Sequence, residues 1–260
     1  MAIYKYALFG EHISQSRSPE IHQHFAQQFN IDLAYTKITV TAESFVSAWH
    51  EFVAAGGQGA NITMPCKRLA YEICTAHSEI AKLTRSVNTI QVQSATQWYG
   101  DSTDGVGLIR DIVDYYGHSL TGRRILLLGA GGAAAGIVPA LLHEQPSEVV
   151  IANRTLANAQ QLALSFIQAS DFANIPSIAF DYIINAAADL PLDQLNVKLN
   201  SNAVAYDLRY TPNAQIFLQW AKDRGARFVH DGYGMLLEQA AASFKIWFGV
   251  QPSTEILRAR

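Results

Sequence analysis

Two sets of residues in this chain have the types and spacing to do chemistry. The first is a glycine-rich turn, GAGGAA at positions 129–134, which fits G-x-G-x-x-G/A. It directly follows the apolar run ILLL (125–128) and opens an alanine-rich segment. In a strand–turn–helix setting the first glycine makes the tight turn and the second lets backbone approach a pyrophosphate. The small Ala134 then permits close helix–strand packing. The start of the helix offers free N–H groups and a positive dipole end to phosphates. Gly129, Ala130, Gly131, Gly132 and Ala133 are therefore candidate dinucleotide contacts. An NAD reader carries an acid about 20 residues further on, for the ribose hydroxyl. Here the next apolar run, VVIA (149–152), leads into Asn153, Arg154 and Thr155 with no acid. A guanidinium suits a 2′-phosphate, so Arg154, flanked by Asn153 and Thr155, points to NADP(H).

The second set is a series of polar clusters at the ends of expected elements in the first part of the chain. SQSRSP (14–19) is a hydroxyl-rich loop. NITMPCK (61–67) puts an amide, a hydroxyl and an ammonium together after a short strand. SVNT (86–89) and DSTDG (101–105) add further amide, hydroxyl and carboxylate groups. A lone lysine or aspartate is usually surface charge; four such clusters ahead of a dinucleotide turn suggest one site.

The elements that must position these groups alternate. Strands are expected at 4–9, 33–40, 59–63 and 87–92, with 98–100 as a partner strand. Helices are expected from Ser18-Pro19-Glu20, with Ser18 as N-cap, over 45–53, and over 67–83. Beyond Asp104 a helix runs to Gly117. Strands follow at 125–128, 149–152, 181–185, 203–208 and 227–230. Between and after them lie helices at 132–143, 155–168, 215–224 and 234–248. Strand–helix alternation indicates α/β architecture with parallel sheet units. On the expected helix faces His22 and His24 look outward to solvent. Cys66 packs beside Lys67, and Trp220, Trp247 and Phe248 belong to the core.

Composition narrows the class. The chain has 260 residues, 49% hydrophobic and 16% charged, with net charge −3. Such a chain can bury a core without staples, and disorder as a whole is excluded. There is no basic footprint for nucleic acid. The two cysteines make no disulfide framework. The uncharged run 125–142 is long enough to suggest a membrane span. Its glycines and Pro139 fit a buried strand entering a helix instead. The opening MAIYKYALFGEH lacks a long apolar core, so a cytoplasmic protein with no membrane partner is the expectation.

In the order and spacing of its motifs the sequence resembles the shikimate/quinate dehydrogenase family over nearly its whole length. The matching segments are FGEHISQSRSP, GANITMPCK, SVNT, DSTDGVG, GAGGAAAG, NRT and DGYGMLLEQAA. The resemblance implies an α/β substrate domain over 1–104, with 239–260 packing back on it. It implies a Rossmann-like NADP-binding domain over 105–238. Lys67 and Asp104 would be the catalytic pair. Ser16 and Ser18 would hold a carboxylate, and Asn61, Thr63, Asn88 and Gln239 the ring hydroxyls. Tyr210 would lie near the substrate and Gly232 near the cofactor. The implied reaction is NADPH-dependent reduction of 3-dehydroshikimate, by a monomer or homodimer. An NAD-dependent quinate/shikimate enzyme and a non-catalytic NADP- or shikimate-binding paralogue are the alternatives. The chain departs from the family pattern at 185–190, where NAAADL lacks the usual hydroxyl and glycine.

A charge-assisted contact to phosphate is worth roughly 1.5–3 kcal/mol. Arg154→Ala is therefore expected to raise KM for NADPH about tenfold or more while leaving KM for NADH nearly unchanged. Equal effects on both cofactors in steady-state kinetics would overturn the role given to Arg154.

Overall fold

The computed structural model describes residues 3–163 and 167–259. It divides into two compact units, Met1–Gly107 with Leu237–Arg260, and Leu108–Leu236.

The first unit is a six-stranded sheet in the order β2-β1-β3-β5-β6-β4. Strands β1 (Tyr4–Gly10), β2 (Leu33–Thr39) and β3 (Gly59–Ile62) run parallel. Strands β5 (Thr89–Ser94) and β6 (Gln97–Asp101) form an antiparallel hairpin, so the sheet is mixed. Helix α1 (Ser18–Gln28) follows β1, and α2 (Phe45–Ala54) follows β2. The core gathers Phe9, Phe45, Trp49, Ile62, Cys66, Ile90 and Trp98. Phe9 meets Phe45, Trp49 and Phe52 edge-on, with ring centroids 5.5–5.9 Å apart.

Two expectations change here. The helix expected over 67–83 is interrupted. Helix α3 (Lys67–Ile73) ends where Cys74 turns extended, and β4 (Ala76–His77) pairs with β6. Ser78 Oγ then accepts from the Ala81 N–H and starts α4 (Glu79–Thr84). Pairing with a strand distant in sequence overrides the local helical pattern. Ser18, expected as the cap of α1, is instead its first residue. Arg17 stands at the cap position without a side-chain capping bond.

The second unit is a fully parallel sheet in the order β12-β11-β10-β7-β8-β9. Read from β9, this is the 3-2-1-4-5-6 order of a doubly wound dinucleotide fold. Strand β7 (Arg124–Leu128) shows why its sequence is apolar throughout. Ile125 and Leu127 join one core cluster, and Leu126 and Leu128 the other. Alternate residues face opposite sides, and both sides are covered. Helix α6 (Gly132–His143) follows, so the uncharged run 125–142 is a strand, a turn and a helix. Among the described residues no helix is long and apolar enough to cross a membrane.

The helix expected over 155–168 is shorter. Helix α7 covers Leu156–Leu162, and β9 (Ile167–Ser170) pairs with β8 (Glu148–Ala152). Residues 164–166 lie outside the described residues. The helix after Asp104 is α5 (Asp104–Ile109), continued by a π-helical segment, Arg110–Tyr115. Strands β10 (Ala179–Asn185), β11 (Lys198–Asp207) and β12 (Phe228–Asp231) complete the sheet, with α8 (Ala214–Asp223) between the last two. Helix α9 (Tyr233–Phe248) then carries the chain back into the first unit at Leu237. A short α10 (Glu255–Arg258) ends it.

Phe9 is fully buried among these rings. Phe9→Ala is expected to lower unfolding free energy by about 3–5 kcal/mol in a denaturant titration. A loss under about 1 kcal/mol would show that the ring cluster does not anchor the first unit.

Candidate active site

In the first unit the polar clusters converge at strand ends. Lys67 opens α3 and Asp104 opens α5, and Lys67 Nζ donates to Asp104 Oδ2 at 2.6 Å. Asn88 holds the other carboxylate oxygen, donating from Nδ2 to Asp104 Oδ1 at 2.8 Å and to Thr103 Oγ1 at 3.0 Å. Asn88 Oδ1 accepts from the Thr103 N–H and the Thr89 hydroxyl, both at 2.9 Å. A carboxamide with both ends engaged cannot turn without breaking several bonds. Backbone bonds tie the same loops together. The Val87 N–H donates to the Lys67 carbonyl and the Ile62 N–H to the Asn88 carbonyl.

Asn61, at the end of β3, lies beside this group. It donates to Thr89 Oγ1 at 3.3 Å, and its Oδ1 accepts from the Tyr35 hydroxyl at 2.8 Å. Burial pushes the Tyr35 phenol well above its usual pKa, so it is a donor. The Ser16 and Ser18 hydroxyls are 3.1 Å apart at the start of α1. Ser18 is free of capping, which leaves its hydroxyl for other partners. Thr63 follows β3 directly, and its N–H donates to the Phe9 carbonyl. Gln239 is half-buried on α9.

In the second unit the glycine turn joins β7 to α6. Gly129 has φ +103°, a conformation open to glycine. An added Cβ would also meet the backbone of Ala186 and Ala187 at 2.9–3.0 Å. The loop after β10 thus forms the floor of the turn. Arg209 braces that loop by donating from Nη1 to the Ala188 carbonyl at 2.7 Å. Its other nitrogens pair with the buried Asp207, which also accepts from Asn185 Nδ2. An added Cβ on Gly131 or Gly132 would meet nothing within 4 Å. The first-turn N–H groups of α6 lack intrahelical acceptors, and among the described residues no side chain caps them. Open space, small residues and unused donors fit a diphosphate. Asn153 accepts from the Ala130 N–H at 3.3 Å and donates to the Thr155 carbonyl at 2.9 Å, linking the turn to the next strand. Arg154 and Thr155 are exposed beside it.

Profiles of known families match most of the chain. "Shikimate dehydrogenase substrate binding domain" covers residues 8–90 and "Shikimate / quinate 5-dehydrogenase" covers 111–190. "Shikimate 5'-dehydrogenase C-terminal domain" covers 232–260. A shikimate dehydrogenase (NADP(+)) of Xanthomonas campestris is 40% identical over 280 residues, covering 100% of this chain and 97% of that protein. One from Marinobacter nauticus is 42% identical over 262 residues, covering 96% and 94%. The chain belongs to the shikimate dehydrogenase family. Among solved structures, the Ael1 enzyme of Pseudomonas putida is 38% identical with TM-score 0.87, covering 98% of this chain and 96% of that one. Shikimate 5-dehydrogenase of Thermus thermophilus in complex with NADP(H) and shikimate is 27% identical with TM-score 0.84, covering 97% and 96%.

Several shikimate dehydrogenase motif positions have a packing reason here. At Gly232 a Cβ would collide with the Leu208 carbonyl, and the Gly232 N–H donates to the Arg209 carbonyl. At Gly234 a Cβ would fall on the Asp111 carboxylate. Asp111 is fully buried and accepts from the Tyr206 hydroxyl at 2.5 Å. Tyr210 is half-buried in the second unit, its ring 6.4 Å from that of Tyr233. Sequence reasoning missed Tyr35, Thr89, Thr103 and Ser243 as members of the first unit's network. Thr89 and Thr103 lay in quoted motifs, whereas Tyr35 and Ser243 sit in apolar surroundings that gave no signal.

His22 also corrects an expectation. It does not face solvent: it is fully buried and lies flat on the Tyr35 ring, 4.6 Å away at 9°. Among the described residues neither ring nitrogen has a partner in good hydrogen-bond geometry, although Asn61 lies close by. Burial pushes its pKa from 6.5 down to about 3, an effect that the neighbouring Asn61 offsets only in part. The unfolded chain therefore binds this proton first as pH falls. Its stabilising contribution is complete above about pH 6.5 and is lost toward pH 3. Unfolding free energy is expected to fall between about pH 6.5 and 4, with a shallower slope for His22→Phe. Equal slopes in parallel denaturant titrations would assign the acid sensitivity to other groups.

Proposed function

We propose that this chain reduces 3-dehydroshikimate to shikimate with NADPH, and catalyses the reverse with NADP⁺, in the pathway to chorismate and the aromatic amino acids. The observation that carries the reading is the Lys67–Asp104 pair, 2.6 Å apart and set among amides and hydroxyls. That surrounding suits a small polyhydroxylated ring. The family relationship supplies the substrate class.

The nicotinamide, when bound, supplies the hydride for the ring ketone. First-turn amides of α6 would hold its diphosphate, and Arg154 with Thr155 the 2′-phosphate. The rest is work for side chains of the first unit. Ser16 and Ser18 are close enough to donate together to one carboxylate, so no arginine is required there. Asn61, Thr63 and Gln239 orient the ring through its hydroxyls, whereas Asn88, whose donors and oxygen are taken by protein groups, acts through Asp104. Lys67 Nζ polarises the ketone oxygen and delivers the proton that balances hydride addition at carbon. Asp104 orients the Lys67 ammonium, and Asn88 orients Asp104.

The two cysteines are buried free thiols, and burial pushes the Cys66 thiol up to about 11 and Cys74 to about 12. Packing, not reactivity, explains them. A cytoplasmic enzyme working as a monomer or homodimer is the setting this reading implies.

Purified protein is expected to reduce NADP⁺ with shikimate, measured by cofactor absorbance, and to do so poorly with NAD⁺ or quinate. Absence of turnover with every pair would overturn the reading in favour of a binding protein. Lys67→Ala is expected to lower kcat by about 10²–10⁴. Turnover within about threefold of wild type, under ~1 kcal/mol of barrier, would remove Lys67 from the chemistry.

A further inference from the structure

A carboxamide is selective toward a ligand only if its oxygen and nitrogen ends are held in place. Asn61 meets that condition through a residue on the last long helix. Its Nδ2 donates to Ser243 Oγ at 2.9 Å, and at 3.3 Å to Thr89 Oγ1 and the Asn88 carbonyl. Ser243 is fully buried and belongs to the first unit. Its hydroxyl donates to the Gln239 carbonyl at 3.0 Å, one turn back along α9. With its single proton placed there, Ser243 Oγ meets Asn61 as an acceptor. Thr89 Oγ1 lies 2.7 Å and Thr103 Oγ1 3.2 Å from the same oxygen. Thr89 gives its proton to Asn88 Oδ1 and Thr103 donates to Ser243 Oγ, while the short Thr89 contact shares the Ser243 proton with the Gln239 carbonyl; Ser243 Oγ stays an acceptor toward Asn61.

We infer that Ser243 is a positioning residue, whose hydroxyl oxygen fixes the orientation of the Asn61 amide and thereby sets what Asn61 can offer a substrate. The Asn61 nitrogen is consumed by the protein. Its oxygen already takes the Tyr35 proton. Beside the neighbouring His22, what the amide can present to a ligand is the second lone pair of that oxygen, which accepts from a hydroxyl and gives nothing to a carbonyl or carboxylate. Without the Ser243 oxygen, Asn61 loses its nearest acceptor and the amide can turn its N–H₂ outward. The Lys67–Asp104 pair does not touch Ser243, so the consequence falls on substrate binding more than on turnover.

This inference rests on the shikimate reading, and the experiment separates the two. In the wild-type enzyme, steady-state kinetics with shikimate and NADP⁺ tests the reading itself. Ser243→Ala is expected to raise KM for shikimate about tenfold. Its kcat should fall less than about threefold, and KM for NADP⁺ should stay within about twofold. Ser243→Thr, which keeps the hydroxyl, should recover most of the loss. Ser243→Cys keeps the shape with a weak acceptor and should follow alanine, which covers the case of an alanine variant that does not fold. An unchanged shikimate KM in folded Ala or Cys variants of an active wild type would overturn the inference. So would a parallel rise in KM for NADP⁺, which would mean general loosening. A wild type without shikimate turnover would overturn the reading and the inference together.

Discussion

The buried side chain of Asn88 is the constraint on which the first unit's polar site depends. It is 3% exposed, and a carboxamide in that position must have its donors and acceptor satisfied. It meets this by donating to Asp104 and Thr103 and accepting from Thr89 and the Thr103 backbone. Those bonds draw the loop after β6 against the start of β5. Asp104 is thereby presented to Lys67, whose own backbone carbonyl is held by Val87. A lysine–aspartate pair so placed has little freedom to relax away, because each movement would strand a buried polar group.

The second unit is organised by a different necessity. Its sheet is buried on both faces, and the turn after β7 must pass close over the loop after β10. That approach demands glycine at 129, whatever binds there. The loop below, NAAADL at 185–190, carries no hydroxyl or glycine of its own, yet it keeps its place through Arg209 and the fully buried Asp207. A bidentate guanidinium–carboxylate pair does for this loop what local side-chain bonds do elsewhere. The glycines of the DGYGM segment are likewise demanded by neighbours, the Leu208 carbonyl and the Asp111 carboxylate.

The legible parts of the fold were those written in local pattern. The run ILLL–GAGG predicts strand, turn and helix because apolar continuity and glycine spacing are local facts, and β7 and α6 follow. The pair NITMPCK and DSTDG predicts functional groups at strand ends for the same reason. Where long-range pairing decides, the pattern misleads. Residues 67–83 have helical composition throughout, but β6 recruits Ala76 and His77 and breaks the helix. Residues 167 and 168 read as the end of a helix, but β8 takes 167–170 as a parallel neighbour. His22 reads as a solvent-facing helix residue, but the Tyr35 ring from β2 lies over it.

By itself the sequence determined the class of the protein, the glycine-rich turn and the residue types of the polar site, since these depend on composition and spacing along the chain. Only the tertiary structure decided which of those groups meet. Lys67 and Asp104 are 37 positions apart, and Asn61 and Ser243 are 182 apart. Whether such groups form a bond depends on how sheets and helices close over one another. It also depends on the rule that no buried polar atom may go unpaired without cost, and no local pattern encodes that geometry.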